Sequence, residues 1–73
     1  MAKTTITVNP EVLAGHPYVK GTRIPVSLIL NLLARGYTFE KTIKEYPELT
    51  AKNIKDAIFY AEKRIKREEI LTL

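Results

Sequence analysis

The sequence predicts a mainly α fold: three helices that end in a helix-turn-helix, preceded by a short β arm. Three observations carry that prediction. Residues 38–65 (TFEKTIKEYPELTAKNIKDAIFYAEKRI) hold two helical segments. Each opens behind a threonine, Thr38 and Thr50, whose hydroxyl can accept an orphan backbone N–H. Pro47 separates them, because it cannot extend the first helix and drives Tyr46 out of the α region. Residues 26–35 (VSLILNLLAR) form the remaining helix, with Pro25 setting φ for its first turn and Gly36 placed to end it.

The arm comes first in the chain. Residues 5–8 (TITV) are β-branched throughout and favour a short strand, which Asn9-Pro10 breaks. Tyr18-Val19 and Arg23-Ile24 flank Lys20-Gly21-Thr22, the pattern of a tight hairpin or bulged turn in which glycine supplies a positive φ. Two or three very short strands are expected, steadied by pairing with something larger such as a second subunit. Domain organisation follows: one domain over residues 1–73, with the arm and hairpin at 1–24 and the three-helix bundle at 25–73.

In the first helix the polar residues Ser27, Asn31 and Arg35 fall on one narrow stripe, and the rest of the circumference is apolar. A helix packed on a single core needs an apolar stripe of only about 100°. A chain of 73 residues is expected to leave part of such a helix for a partner, so a homodimer is expected, with Leu28, Ile29 and Leu32 at its interface. The second helix puts Phe39, Thr42, Ile43 and Tyr46 on one face, and Leu49 is apolar at the corner that follows. The third carries Ile54, Ala57, Ile58, Ala61 and Ile65 at core spacing, with Phe59 and Tyr60 off that stripe among charges. Those two aromatics are candidates for a dimer or partner contact, where aromatics are enriched. The apolar tail at residues 70–73 is expected to dock on a neighbouring subunit or fray.

Composition narrows the chemistry. Cysteine is absent and His16 is the sole histidine, so no disulfide, thiolate site or imidazole cluster forms within one chain. Neither a catalytic constellation nor a phosphate-cradling glycine loop is present; no enzymatic activity, cofactor or metal is expected. No apolar run approaches the ~18 residues of a membrane span and MAKTTITV is no signal peptide, so a soluble cytoplasmic protein is expected. Twelve Lys+Arg against eight Asp+Glu give a net charge of +4, which suits an anionic partner.

The candidates for DNA contact are Thr50, Lys52, Asn53 and Lys55 at the start of the third helix, where a helix-turn-helix meets the major groove. Lysine can reach guanine acceptors there and asparagine can pair with adenine, while Lys41 and Lys44 of the second helix can hold phosphates. Over residues 51–70 six basic residues face four acidic ones, a net of +2 that equally describes a solvated surface. The competing expectation is a protein–protein interaction module without DNA binding.

The segment GHPYVKGTRIPV, followed by ARGYTFEKTIKEYPELTAKNIKDAIFYA, resembles the small prokaryotic domain-of-unknown-function 433 family. Its members carry a G-[K/H]-P-x-[I/V]-K-G-T-R-I-x-V core and a Y-P-x-L-T-x-x-[D/N]-I segment, and the match spans residues 6–61. Gly15, Pro17, Lys20, Gly21, Thr22, Arg23, Ile24 and Pro25 match the first motif. The resemblance implies a homeodomain-like three-helix fold with a β arm. It also implies an antitoxin role beside a PIN-like ribonuclease toxin, with operator binding and autoregulation. By residue type the motif positions are turn glycines, a helix-starting proline and a multivalent arginine, with a ligand role for Lys20 and Arg23 left open.

Overall fold

The β-branched run near the N-terminus forms strand β1 (Ile6–Thr7), which pairs antiparallel with β2 (Tyr18–Val19) in the register Ile6↔Val19 and Thr7↔Tyr18. The structure, a computed structural model, describes residues 4–72, with side chains described through residue 67. Between the strands the chain makes one left-handed 3-10 turn at Leu13–Gly15, in which Leu13 and Ala14 take φ of 50° and 54°. Each such residue costs about 1–2 kcal/mol. The turn is tied by Val12 N–H to the Asn9 carbonyl (2.9 Å) and His16 N–H to the Leu13 carbonyl (3.0 Å).

After β2 the chain reverses through Gly21 at φ 85°, with Thr22 N–H donating to the Val19 carbonyl (3.0 Å). The Thr22 hydroxyl donates to the same carbonyl (2.9 Å) and accepts Ile24 N–H (3.0 Å), which locks the turn. The tight turn expected between residues 18–19 and 23–24 is present: Val19 N–H donates to the Ile24 carbonyl (3.0 Å) and Val26 N–H to the Pro17 carbonyl (2.9 Å), on either side of the isolated bridge Tyr18↔Pro25. The return leg goes no further because a helix begins at the next residue. The regular strand partner of Tyr18–Val19 is β1.

Helix α1 (Val26–Ala34) starts behind Pro25 and ends at Gly36, φ 95°. Gly36 N–H donates to the Leu33 carbonyl (3.0 Å) and Tyr37 N–H to the Leu32 carbonyl (3.1 Å), the two bonds of a Schellman cap. Helix α2 (Phe39–Glu45) is capped by the Thr38 hydroxyl, which accepts Lys41 N–H (3.0 Å). Its fully buried Thr42 returns its hydroxyl to the Thr38 carbonyl (2.8 Å) and leaves no unpaired polar atom inside. At the corner Leu49 N–H donates to the Tyr46 carbonyl (2.9 Å) and the Leu49 side chain is buried, as its position between the helices predicted. Helix α3 (Ala51–Thr72) follows, 22 residues and about 33 Å long.

Ile6, Val19, Ile24, Val26, Ile29, Leu49, Ile54 and Ala57 form the core, so arm, corner and all-helical parts share one apolar centre. Leu28, Leu30, Leu33, Phe39, Ile43, Tyr46 and Tyr60 pack around it half-buried. A mainly α domain of three helices with a two-stranded arm is therefore the architecture.

Two sets of core expectations change. Ile29 and Leu32, expected at a dimer interface, are buried within their own chain at 0% and 7% exposure. α1 packs chiefly on α3 and α2, and Ile29 shares one apolar cluster with Ile6 and Val19 of the arm. On α3 the core face is turned toward Asn53, Ile54 and Ala57, and this leaves Ile58 and Ile65 exposed at 38% and 56%. The side chains of the tail at residues 70–73 lie outside the described residues.

Candidate nucleic-acid interface

The site is built from α3 outward. Thr50 and Asn53 close its first turn reciprocally: the Thr50 hydroxyl accepts Asn53 N–H (3.2 Å), and the Asn53 Oδ1 accepts Thr50 N–H (2.8 Å). This is the geometry of a capping box, with asparagine in the position usually held by glutamate or glutamine. The Asn53 Nδ2 then donates to the Thr5 hydroxyl (3.0 Å) in the arm. Asn53 is 8% exposed and its amide is committed on both ends, so its assignment as a base-reading residue is corrected to a structural one. Thr50 is exposed, with its hydroxyl engaged in the cap.

One turn on, Asp56 anchors the arm. Its Oδ2 accepts Thr5 N–H (2.8 Å), the Thr5 hydroxyl (2.8 Å) and the Lys52 ammonium (3.0 Å). Burial works against its charge, but donation from the Thr5 backbone, Lys52 and the Thr5 hydroxyl outweighs it and holds the carboxyl below its ordinary value. A contact spanning 51 residues leaves no local signal.

On the side of α3 away from its buried residues Asn53, Ile54 and Ala57 stand Lys52, Lys55, Phe59, Lys63 and Lys66, all exposed, with Asp56 at the edge of the row and Thr4 of the arm lining a groove with Phe59 and Lys63. Lys52 pairs with Asp56 (3.0 Å) and Lys66 with Glu62 (2.9 Å), whereas no ion pair among the described residues engages Lys55 or Lys63. The i+3 and i+4 steps that align 52, 55, 59, 63 and 66 are legible in the sequence, and extend the candidate surface to Lys63 and Lys66. Lys41 and Lys44 are exposed on α2, with the Lys41 ammonium 4.4 Å from the Tyr37 ring centroid. They line an open groove with Thr38, Glu40 and Glu45, so their neighbourhood carries both signs of charge.

The assigned interface residues separate. Leu28 is half-buried at the edge of the core, Tyr60 is half-buried with the Arg64 guanidinium 5.8 Å from its ring centroid, and Phe59 is 59% exposed. Ile58 and Ile65 instead share an apolar groove with Leu30 and Ala61, rimmed by the Glu62–Lys66 pair.

Comparison with known proteins matches residues 6–61 to the family described as "Protein of unknown function (DUF433)". The chain belongs to the DUF433 family. A curated relative, the uncharacterized protein y4eO of Sinorhizobium fredii, is 38% identical over 61 residues, which is 84% of this chain and 28% of that protein. The chain thus spans little more than a quarter of the relative it matches. The crystal structure of a DUF433 member protein from Anabaena variabilis superposes with a TM-score of 0.77 at 30% identity, covering 90% of this chain and 68% of that one.

The DUF433 motif residues gather where the arm meets α1. Gly15 and Gly21 take φ of 80° and 85°, Thr22 locks the turn, Ile24 is in the core and Pro25 caps α1. The Pro17 carbonyl accepts Val26 N–H (2.9 Å). Lys20 and Arg23 are exposed. Arg23 lines an open groove of about 730 Å³ with Val12, Tyr18, Leu28, Tyr46 and Glu48, so it is the one charged motif residue placed to meet a ligand there.

Proposed function

We propose that this DUF433 chain is an antitoxin-like, DNA-binding regulator that acts as a homodimer in the cytoplasm and not as an enzyme. Its α3 enters the major groove of operator DNA, and a PIN-like ribonuclease is its protein partner and neighbour in the operon. The observation that carries this reading is the exposed lysine row Lys52, Lys55, Lys63 and Lys66 on the side of α3 away from its buried residues Asn53, Ile54 and Ala57. A helix with side chains is about 10–12 Å across, and a major groove about 12 Å wide admits it. Lys55 and Lys52 lie at the reading end, and Lys63, Lys66, Lys41 and Lys44 are the phosphate contacts. Asn53 has no part in the readout.

The test is fluorescence anisotropy with the duplex upstream of the gene. Binding that weakens steeply between 50 and 200 mM salt is expected, since each neutralised phosphate adds about 0.9 to the slope of log K against log salt. Lys55→Glu, which breaks no ion pair among the described residues, should lower affinity about ten-fold or more with an unchanged circular dichroism spectrum. Equal binding by the variant would remove α3 from the interface.

A second reading has its own observation. The apolar strip of exposed Ile58 and Ile65 beside half-buried Leu30 favours a protein-interaction module, for oligomerisation or for neutralising a toxin, without DNA contact. Co-purification with the adjacent ribonuclease, lost in Ile65→Glu and kept in Lys55→Glu, would favour it.

A further inference from the structure

Phe59 is the largest exposed apolar side chain among the described residues, 59% open to solvent, and it stands within the lysine row of α3. Lys55 precedes it by one turn and Lys63 follows it by one turn, and neither is ion-paired among the described residues. Successive residues turn about 100° around a helix, so Phe59 points well away from Ile58 and, by the same geometry, from Ile65. It is therefore not part of the apolar strip between α1 and α3. Two carboxylates flank it at three residues' distance: Asp56, whose Oδ2 accepts from Thr5 and Lys52, and Glu62, which pairs with Lys66. The surface to be matched is then an exposed aromatic ring with Lys55 and Lys63 one turn to either side, its neighbouring carboxylates each engaged by another lysine.

The major-groove edge of DNA matches that pattern. It is negatively charged on both rims, and its apolar group is the C5 methyl of thymine, against which phenylalanine packs. Lys55 and Phe59 are about 6 Å apart along the helix axis, close to two base steps of 3.4 Å. We infer that Phe59 is a specificity-determining residue that reads a thymine methyl in the operator, about two base pairs from the base or phosphate held by Lys55. The inference rests on the DNA-binding reading above and adds to it one base preference and the atom responsible.

The experiment selects duplexes from a randomised library with the wild-type protein. The best duplex is then compared with the same sequence carrying deoxyuridine for thymine, one position at a time. Replacement at one thymine should weaken wild-type binding about four-fold, the factor expected for one buried methyl, and replacement elsewhere should change little. Phe59→Ala should bind the thymine and deoxyuridine duplexes equally, and Phe59→Leu, which keeps an apolar contact, should retain part of the difference. Because Phe59 is exposed, both variants should keep the wild-type circular dichroism spectrum. An enriched duplex that wild type binds equally with thymine or deoxyuridine at every position overturns this inference alone. So does a methyl preference that survives Phe59→Ala. Failure to enrich any duplex overturns the DNA reading together with it.

Discussion

Replacing Asp56 with alanine should cost this domain a large part of its stability, through loss of the arm. The carboxylate Oδ2 holds Thr5 N–H and the Thr5 hydroxyl at 2.8 Å each and the Lys52 ammonium at 3.0 Å. Hydrogen bonds to a charged group contribute about 1.5–3 kcal/mol each. Thr5 is half-buried and can partly rehydrate, which places the two arm bonds together at about 2–3 kcal/mol. The exposed i,i+4 pair with Lys52 adds only about 0.3–0.5 kcal/mol. A 73-residue domain has about 4–11 kcal/mol in all, and each kcal/mol lost lowers Tm by about 4–8 °C. Asp56→Ala should therefore melt roughly 10–20 °C below wild type at equal protein concentration. The effect is pH-dependent. A carboxyl held below its ordinary value stabilises the fold fully above about pH 5, and that contribution fades as pH falls through the ordinary value and then the lowered one. Thermal melts by circular dichroism at pH 7 and pH 3 measure both effects. A variant that melts within 2 °C of wild type at pH 7, or a gap that does not narrow in acid, would refute the anchoring role.

Leu49→Ala empties a site 1% exposed at the α2–α3 corner and should cost about 2–5 kcal/mol in urea unfolding, more than any other single corner change. Gly36→Ala forces alanine into φ 95° at the Schellman cap; a loss of about 1 kcal/mol or more is expected by the same assay. Ile58→Glu with Ile65→Glu should leave the melting curve of dilute protein nearly unchanged, because both side chains are exposed. The same pair should shift sedimentation from dimer to monomer if the strip is the dimer contact.

Much of this fold was legible because its signals are local. Pro25 and Gly36 bracket α1, Thr38 caps α2, and Leu49 fills the corner, each through chemistry within a few residues of itself. What escaped was long-range or a matter of helix phase. Thr5 meets Asn53 and Asp56 across roughly fifty residues, and nothing near residue 5 announces it. The buried face of α3 runs through Asn53, so the stripe read as core delivers Ile54 and Ala57 inward but leaves Ile58 and Ile65 outside. Asn53 shows how a residue type can mislead, since asparagine serves equally as a cap and as an adenine reader. The Thr50-x-x-Asn53 spacing at a helix start was the available hint toward the cap. The wide apolar circumference of α1 does not tell a partner from its own fold, and Ile29 and Leu32 are buried within the chain.

The claim at the centre of this account is that the outer face of α3 is the surface that meets nucleic acid. An amide chemical-shift titration of the ¹⁵N-labelled protein with its upstream duplex tests it most directly. The largest shifts should fall at Lys52, Lys55, Phe59 and Lys63, with smaller ones at Lys41 and Lys44, and all should collapse on raising the salt. Shifts centred on Tyr18, Arg23, Leu28 and Tyr46, or no salt-sensitive shifts at all, would contradict it.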